Sequence, residues 1–481
     1  MKCSEAMPWG NELLFTLVTC CVKRILSLLF ATTIIATACA SAATDTTAAG
    51  DDTAAEAESD AEAENPTAPA DESAEEESGE VDGSQPQEID GPKETFNPPL
   101  EGPFNLDGGI TFDPAAVDVI VDPAPNGWIP ATFTNWPTDW TRRTVEDWDE
   151  FAAGLRSNDP RDGIPPIDEP IFETVSLASE WIAPNEPGAL VQLNGEARFY
   201  PLAIMTAHEI VNDAFGDIPV SVTYCPLCNT AIAFDRRVNG EVLDFGVSGL
   251  LRNSDLVMWD RQTTSLWQQI TGNSVIGEFA GAELEPVPTS IVSFGQFAEG
   301  FPDGLSLAGE SARGREAYGI NPYTGYSSSP APIAGFFSAD LDDRLPALSR
   351  VIGISEGDAV VAYSFDRIAA EMVINDEVNG VPLVVLGGGD TTDALDSPFI
   401  ASAQTIGSAV AYSPVVDGQT LTFTANDDDT FTDDVTGSTW LITGNAIEGE
   451  LAGTQLEGVE HRNEFWFAWQ AFFGPDFLSE A

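Results

Sequence analysis

The sequence predicts a β-rich α+β protein in which two tandem related repeats pack together behind a long acidic segment. Three observations support this prediction. Two blocks of sequence recur in the same order, short strand-like runs alternate with tight turns in each copy, and each copy ends in an aromatic, helix-like run. A block order that occurs twice indicates one supersecondary unit used twice along the chain.

The first recurring block covers residues 195–223 and 357–386, and the second covers residues 265–287 and 438–459. Several residues keep their places within each block. The clearest matched pairs are Tyr200 and Tyr363, Pro219 and Pro382, and Trp267 and Trp440.

Each repeat begins with a predicted hairpin. In the first copy, strands at Ala189–Leu193 and Ala197–Tyr200 flank the turn Asn194-Gly195, a pair that suits a tight turn. Pro201 then predicts the start of a short helix that runs to about Val211.

A β-rich run follows that helix, beginning with Val220–Tyr224. The aromatic helices that end the copies are expected at Ser293–Glu299 and Glu464–Phe473.

The N-terminus has the features of an export signal. Lys23 and Arg24 precede the apolar run Ile25–Ala38, which is too short to span a bilayer as a helix. Small residues precede Cys39, as in a bacterial lipoprotein signal, so lipidation of Cys39 is expected; ordinary cleavage and secretion is the alternative. Either outcome predicts an extracytoplasmic protein, tethered to the cell membrane in the first case.

Residues 40–95 hold eighteen acidic residues, one lysine and no aromatic residue, a composition that cannot form a packed core. The formal charge of the whole chain is −59, which excludes nucleic acid as a natural partner. The predicted organisation is a signal peptide at 1–39, an acidic linker at 40–100, an N-terminal extension at 101–168, repeat one at 169–310, a crossover at 311–345 and repeat two at 346–481.

One motif carries recognisable chemistry, Cys225-Pro226-Leu227-Cys228. The other four of the six cysteines lie in the first 39 residues, so the folded part is not a disulfide-stapled scaffold. Repeat two has Gly388 and Thr391 where repeat one has the two thiols, which indicates that the fold does not need them for packing.

Three hypotheses compete for this pair. In the first, one thiol attacks an oxidant or a partner's disulfide and the other resolves the intermediate, with His208 favouring the thiolate. In the second, the pair holds Zn or Cu, and His208 and His461 complete a Cys2His2 set. These are the two histidines of the chain. In the third, the cysteines form a static disulfide and the lipoprotein has no catalytic activity.

From residue 164 onward the chain resembles the bacterial family known as domain of unknown function 3179. The stretches that carry the resemblance are YPLAIMTAHEIVND, VTYCPLCNTAIAFDR, FGVSGLLRNSDLVMWDRQTTSLWQQITG, YGINPYTGY and FWFAWQAF. Some relatives are described as apparent selenoproteins. This resemblance therefore implies redox chemistry at the thiol position and ranks the first hypothesis, a thiol-disulfide type oxidoreductase with an unidentified redox partner, above the second.

Polar residues in two further segments are candidates for lining a pocket; the alternative is that they are structural ion pairs and tyrosines that cover an edge of the core. These candidates are Asn253, Asp255, Asp260, Arg261, Tyr318, Asn321 and Tyr323. The sequence contains no glycine-rich phosphate loop and no HExxH helix, so it gives no support for a nucleotide-binding protein or a zinc protease.

Overall fold

The computed structural model describes residues 108–122, 133, 136–155, 160–356, 359–474 and 478–479. These residues all belong to one compact unit that spans residues 88–481. The predicted signal peptide, the lipidation residue Cys39 and the whole acidic linker lie outside the described residues.

The described chain is β-rich with few helices, and its strands form several small sheets. The N-terminal extension contributes three short strands before the first repeat: β1 (Ile120–Val121), β2 (Arg142–Arg143) and β3 (Phe151–Ala153). Repeat one begins with β4 (Phe172–Thr174) and helix α1 (Val175–Ala178). Single 3₁₀ turns lie at Trp148–Glu150, Gly309–Ser311, Arg315–Ala317 and Ile400–Ser402.

After β4 and α1, repeat one contains thirteen strands, two helices and a trailing strand. In chain order these are β5 (Pro187–Leu193), β6 (Glu196–Pro201), α2 (Leu202–His208), β7 (Ile210–Phe215), β8 (Ile218–Cys225), β9 (Thr230–Asp235), β10 (Arg237–Val238), β11 (Glu241–Val242), β12 (Phe245–Arg252), β13 (Asp255–Asp260), β14 (Leu266–Gln268), β15 (Ser274–Ile276), β16 (Pro286–Val287), β17 (Thr289–Ser293), α3 (Phe294–Gly300) and β18 (Leu305–Leu307).

Repeat two contains the same series without the trailing strand. Its elements are β19 (Arg350–Glu356), β20 (Ala359–Ser364), α4 (Phe365–Glu371), β21 (Val373–Val378), β22 (Val381–Gly388), β23 (Ser408–Ser413), β24 (Val415–Val416), β25 (Gln419–Thr420), β26 (Phe423–Ala425), β27 (Phe431–Asp433), β28 (Thr439–Trp440), β29 (Ala446–Glu448), β30 (Glu457–Gly458), β31 (His461–Phe465) and α5 (Trp466–Phe473).

Strand pairing follows the same plan in both halves, so the arrangement is repeat-like. The sheet β16-β9-β8-β7 corresponds to β30-β23-β22-β21, and the meander β12–β15 corresponds to β26–β29. Buried hydrogen bonds recur too: the indole N–H of Trp267 donates to Asp260 at 2.9 Å, and that of Trp440 donates to Asp433 at 3.0 Å.

The N-terminal extension enlarges one sheet of repeat one. β3 pairs with β12 and β2 pairs with β15, so the four-stranded meander of repeat one becomes a seven-stranded sheet. Its edges are thereby covered by chain from outside the repeat, which limits edge-to-edge association.

The last strand of each repeat pairs within its own repeat and also packs against the other repeat. β31 of repeat two packs beside β9 of repeat one, and β17 of repeat one packs beside β23 of repeat two. The helices follow the strands, because Phe467 at the start of α5 lies in the core cluster of repeat one, while Phe294 and Phe297 of α3 lie in a cluster formed by residues of both repeats. Each apolar core is therefore completed by the other repeat.

Several predicted elements lie close to their expected positions. The first hairpin is present as β5 and β6, with Asn194 at φ 53° in its turn. Two boundaries were wrong. The helix after Pro201 ends at His208, because Glu209 adopts a left-handed conformation and the chain continues as β7. The final aromatic helix begins at Trp466, so Glu464 lies in strand β31.

His461 on β31 of repeat two contacts repeat one at the interface between the repeats. Its Nε2 lies 3.3 Å from the Ser290 hydroxyl on β17, and its Nδ1 lies 2.7 Å from the Val459 carbonyl. A carbonyl only accepts hydrogen bonds, so Nδ1 carries the proton of the neutral ring. Burial, with a smaller contribution from Arg462, lowers the pKa of His461 to about 4.

We therefore expect His461 to contribute to acid destabilisation. Its pKa is lower in the folded protein than in the unfolded chain, where it is about 6.5. The stability it contributes is complete above that value and is lost as the pH falls towards 4. Between pH 7 and pH 4 this amounts to about 3 kcal/mol.

Urea unfolding of wild type and His461→Gln at the two pH values tests this expectation. The loss of unfolding free energy on acidification should be smaller in the variant by about 3 kcal/mol. Equal losses in the two proteins would contradict a neutral, buried imidazole at the interface.

Candidate functional site

The two thiols lie in the tight connection of a hairpin. Cys225 is the last residue of β8 and pairs with Thr230 of β9, so Cys228 occupies the four-residue turn between the strands. Asn229 closes the turn with φ 57°, a left-handed conformation that asparagine tolerates. A two-residue spacing within such a turn directs both sulfur atoms to one side of the hairpin.

A second hairpin brings a carboxyl group to these thiols. β12 and β13 join through Asn253 and Ser254, which both have positive φ, as a tight two-residue hairpin turn requires. Asp255 follows this turn directly. The thiol of Cys225 donates to the Ser254 carbonyl at 3.7 Å, which fixes the tip of the hairpin against the cysteine turn.

Cys225, Cys228 and Asp255 form one compact donor group. Their sulfur and carboxyl oxygen atoms all lie within 4.8 Å of one another, and the three residues are at most 2 % exposed. Asp255 Oδ2 accepts hydrogen bonds from the Gln268 side chain and from the Ile270 amide, whereas Oδ1 has no hydrogen-bond partner among the described residues. Neither cysteine is in a disulfide.

The electrostatic surroundings do not favour a free thiolate. Burial raises the pKa of Cys225 and raises that of Cys228 further, and the nearby Asp255 carboxyl adds to both shifts. Burial also raises the pKa of Asp255 to about 6. A low-pKa thiol needs a neighbouring cation or a helix N-terminus, and nearby acids act in the opposite direction.

Repeat two contributes a further acid that the sequence analysis did not identify. Glu464 on β31 is fully buried, and both of its carboxyl oxygens are without a hydrogen-bond partner among the described residues. The next residue, Phe465, donates its amide N–H to the Cys228 carbonyl at 2.9 Å. Burial raises the pKa of Glu464 to about 8, and the carboxyl in turn raises the pKa of Cys228.

Glu464 could have been found by comparing the repeats. The pairing of β31 with β19 and of β17 with β5 aligns Glu464 with Val292 of repeat one. A carboxyl group that replaces a buried valine at one of two equivalent positions indicates a specific role for that position.

Glu209 is another buried acid beside the cluster. It is the left-handed residue that ends α2, and the Tyr323 hydroxyl donates to its carboxyl at 3.4 Å. Burial raises the pKa of Glu209 to about 8. The same crossover segment places the hydroxyl of Tyr326 on the carbonyl of Leu227, within the cysteine turn, at 3.0 Å. The crossover therefore covers this side of the cluster.

The structure does not bring the histidines into this donor group. The Nδ1 of His208 lies 2.6 Å from the Pro165 carbonyl and its Nε2 lies 2.8 Å from the Tyr318 hydroxyl, so both ring nitrogens are occupied. His461 is held by Ser290 and Val459 as described above. The donor set that the described residues assemble is two thiols with Asp255, in place of the expected Cys2His2 set.

Most of the remaining pocket candidates form hydrogen bonds or ion pairs away from the donor group. Asp260 accepts from Trp267, Arg261 pairs with Asp162 and Asp168, Asn253 accepts from Ser338, and Asn321 donates to the Ser397 carbonyl. Of the seven candidates, Asp255 belongs to the donor group, and Tyr323 reaches it indirectly through Glu209.

Repeat two lacks the equivalents of these polar groups. Glycine and threonine replace the cysteines, and Met372 replaces Glu209 while keeping its left-handed conformation at φ 62°. Strands β26 and β27 have three residues each, against eight and six in β12 and β13, so the hairpin extension that carries Asp255 is missing. The scaffold is shared, and the donor cluster is specific to repeat one.

Comparison with known proteins identifies the family of this chain. No curated protein and no solved structure matches the chain. Among the described residues, no helix has the length and apolar character needed to cross a membrane. Residues 161–476, which include repeat one, nearly all of repeat two and the whole donor cluster, match the family described as "Protein of unknown function (DUF3179)", and the chain belongs to that family.

Proposed function

We propose that this protein binds a transition-metal ion, with zinc the best match, through Cys225, Cys228 and Asp255. The observation that carries the proposal is the convergence of two thiols and a half-satisfied carboxyl group within 4.8 Å in a fully buried site. Thiolate sulfur and carboxylate oxygen are both accepted ligands of Zn²⁺, whereas Cu⁺ favours sulfur alone.

Charge balance favours a cation at this position. Each donor is an acid whose ionised form is destabilised by burial, and Glu464 and Glu209 increase the negative potential when ionised. A buried charge is tolerated when it is paired or coordinates a metal. A divalent ion would deprotonate both thiols on binding and offset most of the resulting charge.

The comparison between repeats supports a functional role for the cluster. If the thiols served the fold, the matching turn of repeat two would need them as well. We infer a tandem duplication in which the first copy bears the site and the second completes its enclosure. The predicted export signal and the lipid expected on Cys39 extend the proposal: the ion is held outside the cytoplasm by a tethered protein.

The thiol redox hypothesis receives less support from this geometry. A nucleophilic thiol needs a lowered pKa and access to its oxidant, whereas both thiols here are buried and their pKa values are raised. His208, expected to favour the thiolate, is engaged elsewhere.

Metal analysis of the purified protein tests the proposal. We expect about one zinc ion per chain, retained after gel filtration, as structural affinities of this kind predict. Cys225→Ser, Cys228→Ser and Asp255→Asn should each reduce the content to below about a tenth, since each removes one of three ligands. Asp244→Asn, an exposed partner of Arg236, is the matched control and should keep its metal. A folded wild type without metal after growth in zinc would contradict the proposal.

Alkylation rates separate the metal and redox hypotheses. After removal of metal by a chelator, iodoacetamide at pH 7 should modify the thiols at least about tenfold more slowly than free cysteine, because burial disfavours the reactive thiolate. The rate should fall further when zinc is restored. Modification faster than free cysteine would support the redox hypothesis instead.

A further inference from the structure

We infer that the ion keeps one coordination position for a small exogenous donor molecule, water in the resting protein, and that Glu464 of repeat two holds this molecule. The inference rests on the proposed metal site and adds to it an open position and a positioning residue. At such a position a small ligand can replace the bound water.

The number of protein donors is the first support. Among the described histidine, cysteine and acidic residues, three donors converge within 4.8 Å, and no fourth belongs to the group. Zinc in structural sites is closed by four protein ligands, whereas three protein ligands with an open fourth position are typical of sites that bind water or substrate.

The orphaned carboxyl group of Glu464 is the second support. Buried polar atoms in folded proteins almost always have a hydrogen-bond partner, because leaving one unpaired costs about 1–3 kcal/mol. Glu464 has two such atoms, and repeat one shows that the position accepts valine. Retaining an unpaired acid here is explained if its partner is a molecule outside the polypeptide.

Cobalt(II) substitution with azide as the added ligand tests this inference. Metal-free full-length protein is titrated with Co²⁺, whose thiolate-to-cobalt charge-transfer bands report coordination by the cysteines. Azide is then added, and the visible d–d bands report any change in the remaining coordination position. The variants are Glu464→Val, which copies Val292 of repeat one, and Glu464→Gln, which keeps a hydrogen-bonding side chain. Glu460→Gln, on the approach to the same strand, is the control.

We expect azide to shift the d–d bands of the wild type and of Glu460→Gln while the charge-transfer bands persist. Glu464→Val should still bind Co²⁺ but should weaken azide binding by at least about tenfold, and Glu464→Gln should stay within about threefold of wild type. A site that binds Co²⁺ but ignores azide would overturn the inference, since no position would be open.

Loss of the charge-transfer bands in Glu464→Val would also overturn it, because Glu464 would then be a metal ligand in a closed site. Failure of the wild type to show charge-transfer bands is distinguishable from both results, because it rejects the metal site itself.

Discussion

The burial of several acids at one point, with no basic side chain in the donor group, is the constraint on which this account depends. Two thiols and the Asp255 carboxyl group share a volume a few ångströms across, and Glu464 lies within electrostatic reach of them. A folded protein can tolerate such a cluster of buried acids in two ways. The acids can stay protonated, which leaves some of their polar atoms without hydrogen bonds, or a bound cation can balance their charge. The orphaned oxygens of Asp255 and Glu464 favour the cation.

The repeat-like architecture explains how these groups meet. A thiol pair in one hairpin turn supplies two donors at most, and the lengthened β12–β13 hairpin adds the third. Packing of the terminal strands against the opposite repeat then places β31 of repeat two against the cysteine hairpin. Because this enclosure is made between two cores, opening the site to solvent requires separating packed aromatic side chains such as Phe465 and Phe467.

The sequence was informative about the scaffold and the thiols. Recurring blocks predicted the two related halves, and the Asn194-Gly195 turn predicted the first hairpin, because both signals are local or internal to the chain. It was less informative about helix limits, since the left-handed Glu209 has no strong sequence signature. The export signal, the lipid and the acidic linker stay predictions, since the described residues do not include them.

The cluster itself could be predicted only in part. Asp255 was among the candidate residues, but nothing local to it indicated that its hairpin turns towards the cysteines. The sequence pattern predicts that Glu464 lies in a helix, because the aromatic run after it has no turn residue to mark the end of a strand. The histidines are candidate ligands in the sequence because the chain has two of them. In the structure, their ring nitrogens contact backbone carbonyls and hydroxyl groups. The position of each of these residues in the site depends on how the two repeats pack against each other, which no local sequence pattern indicates.

Anomalous diffraction at the zinc absorption edge, from crystals of protein purified without added metal, tests the central claim most directly. The account predicts one strong anomalous peak about 2.3 Å from the sulfur atoms of Cys225 and Cys228 and about 2.0–2.2 Å from an Asp255 oxygen, the usual zinc–ligand distances. A disulfide between the two cysteines, or an ordered cluster with no anomalous peak after growth in zinc-containing medium, would contradict it.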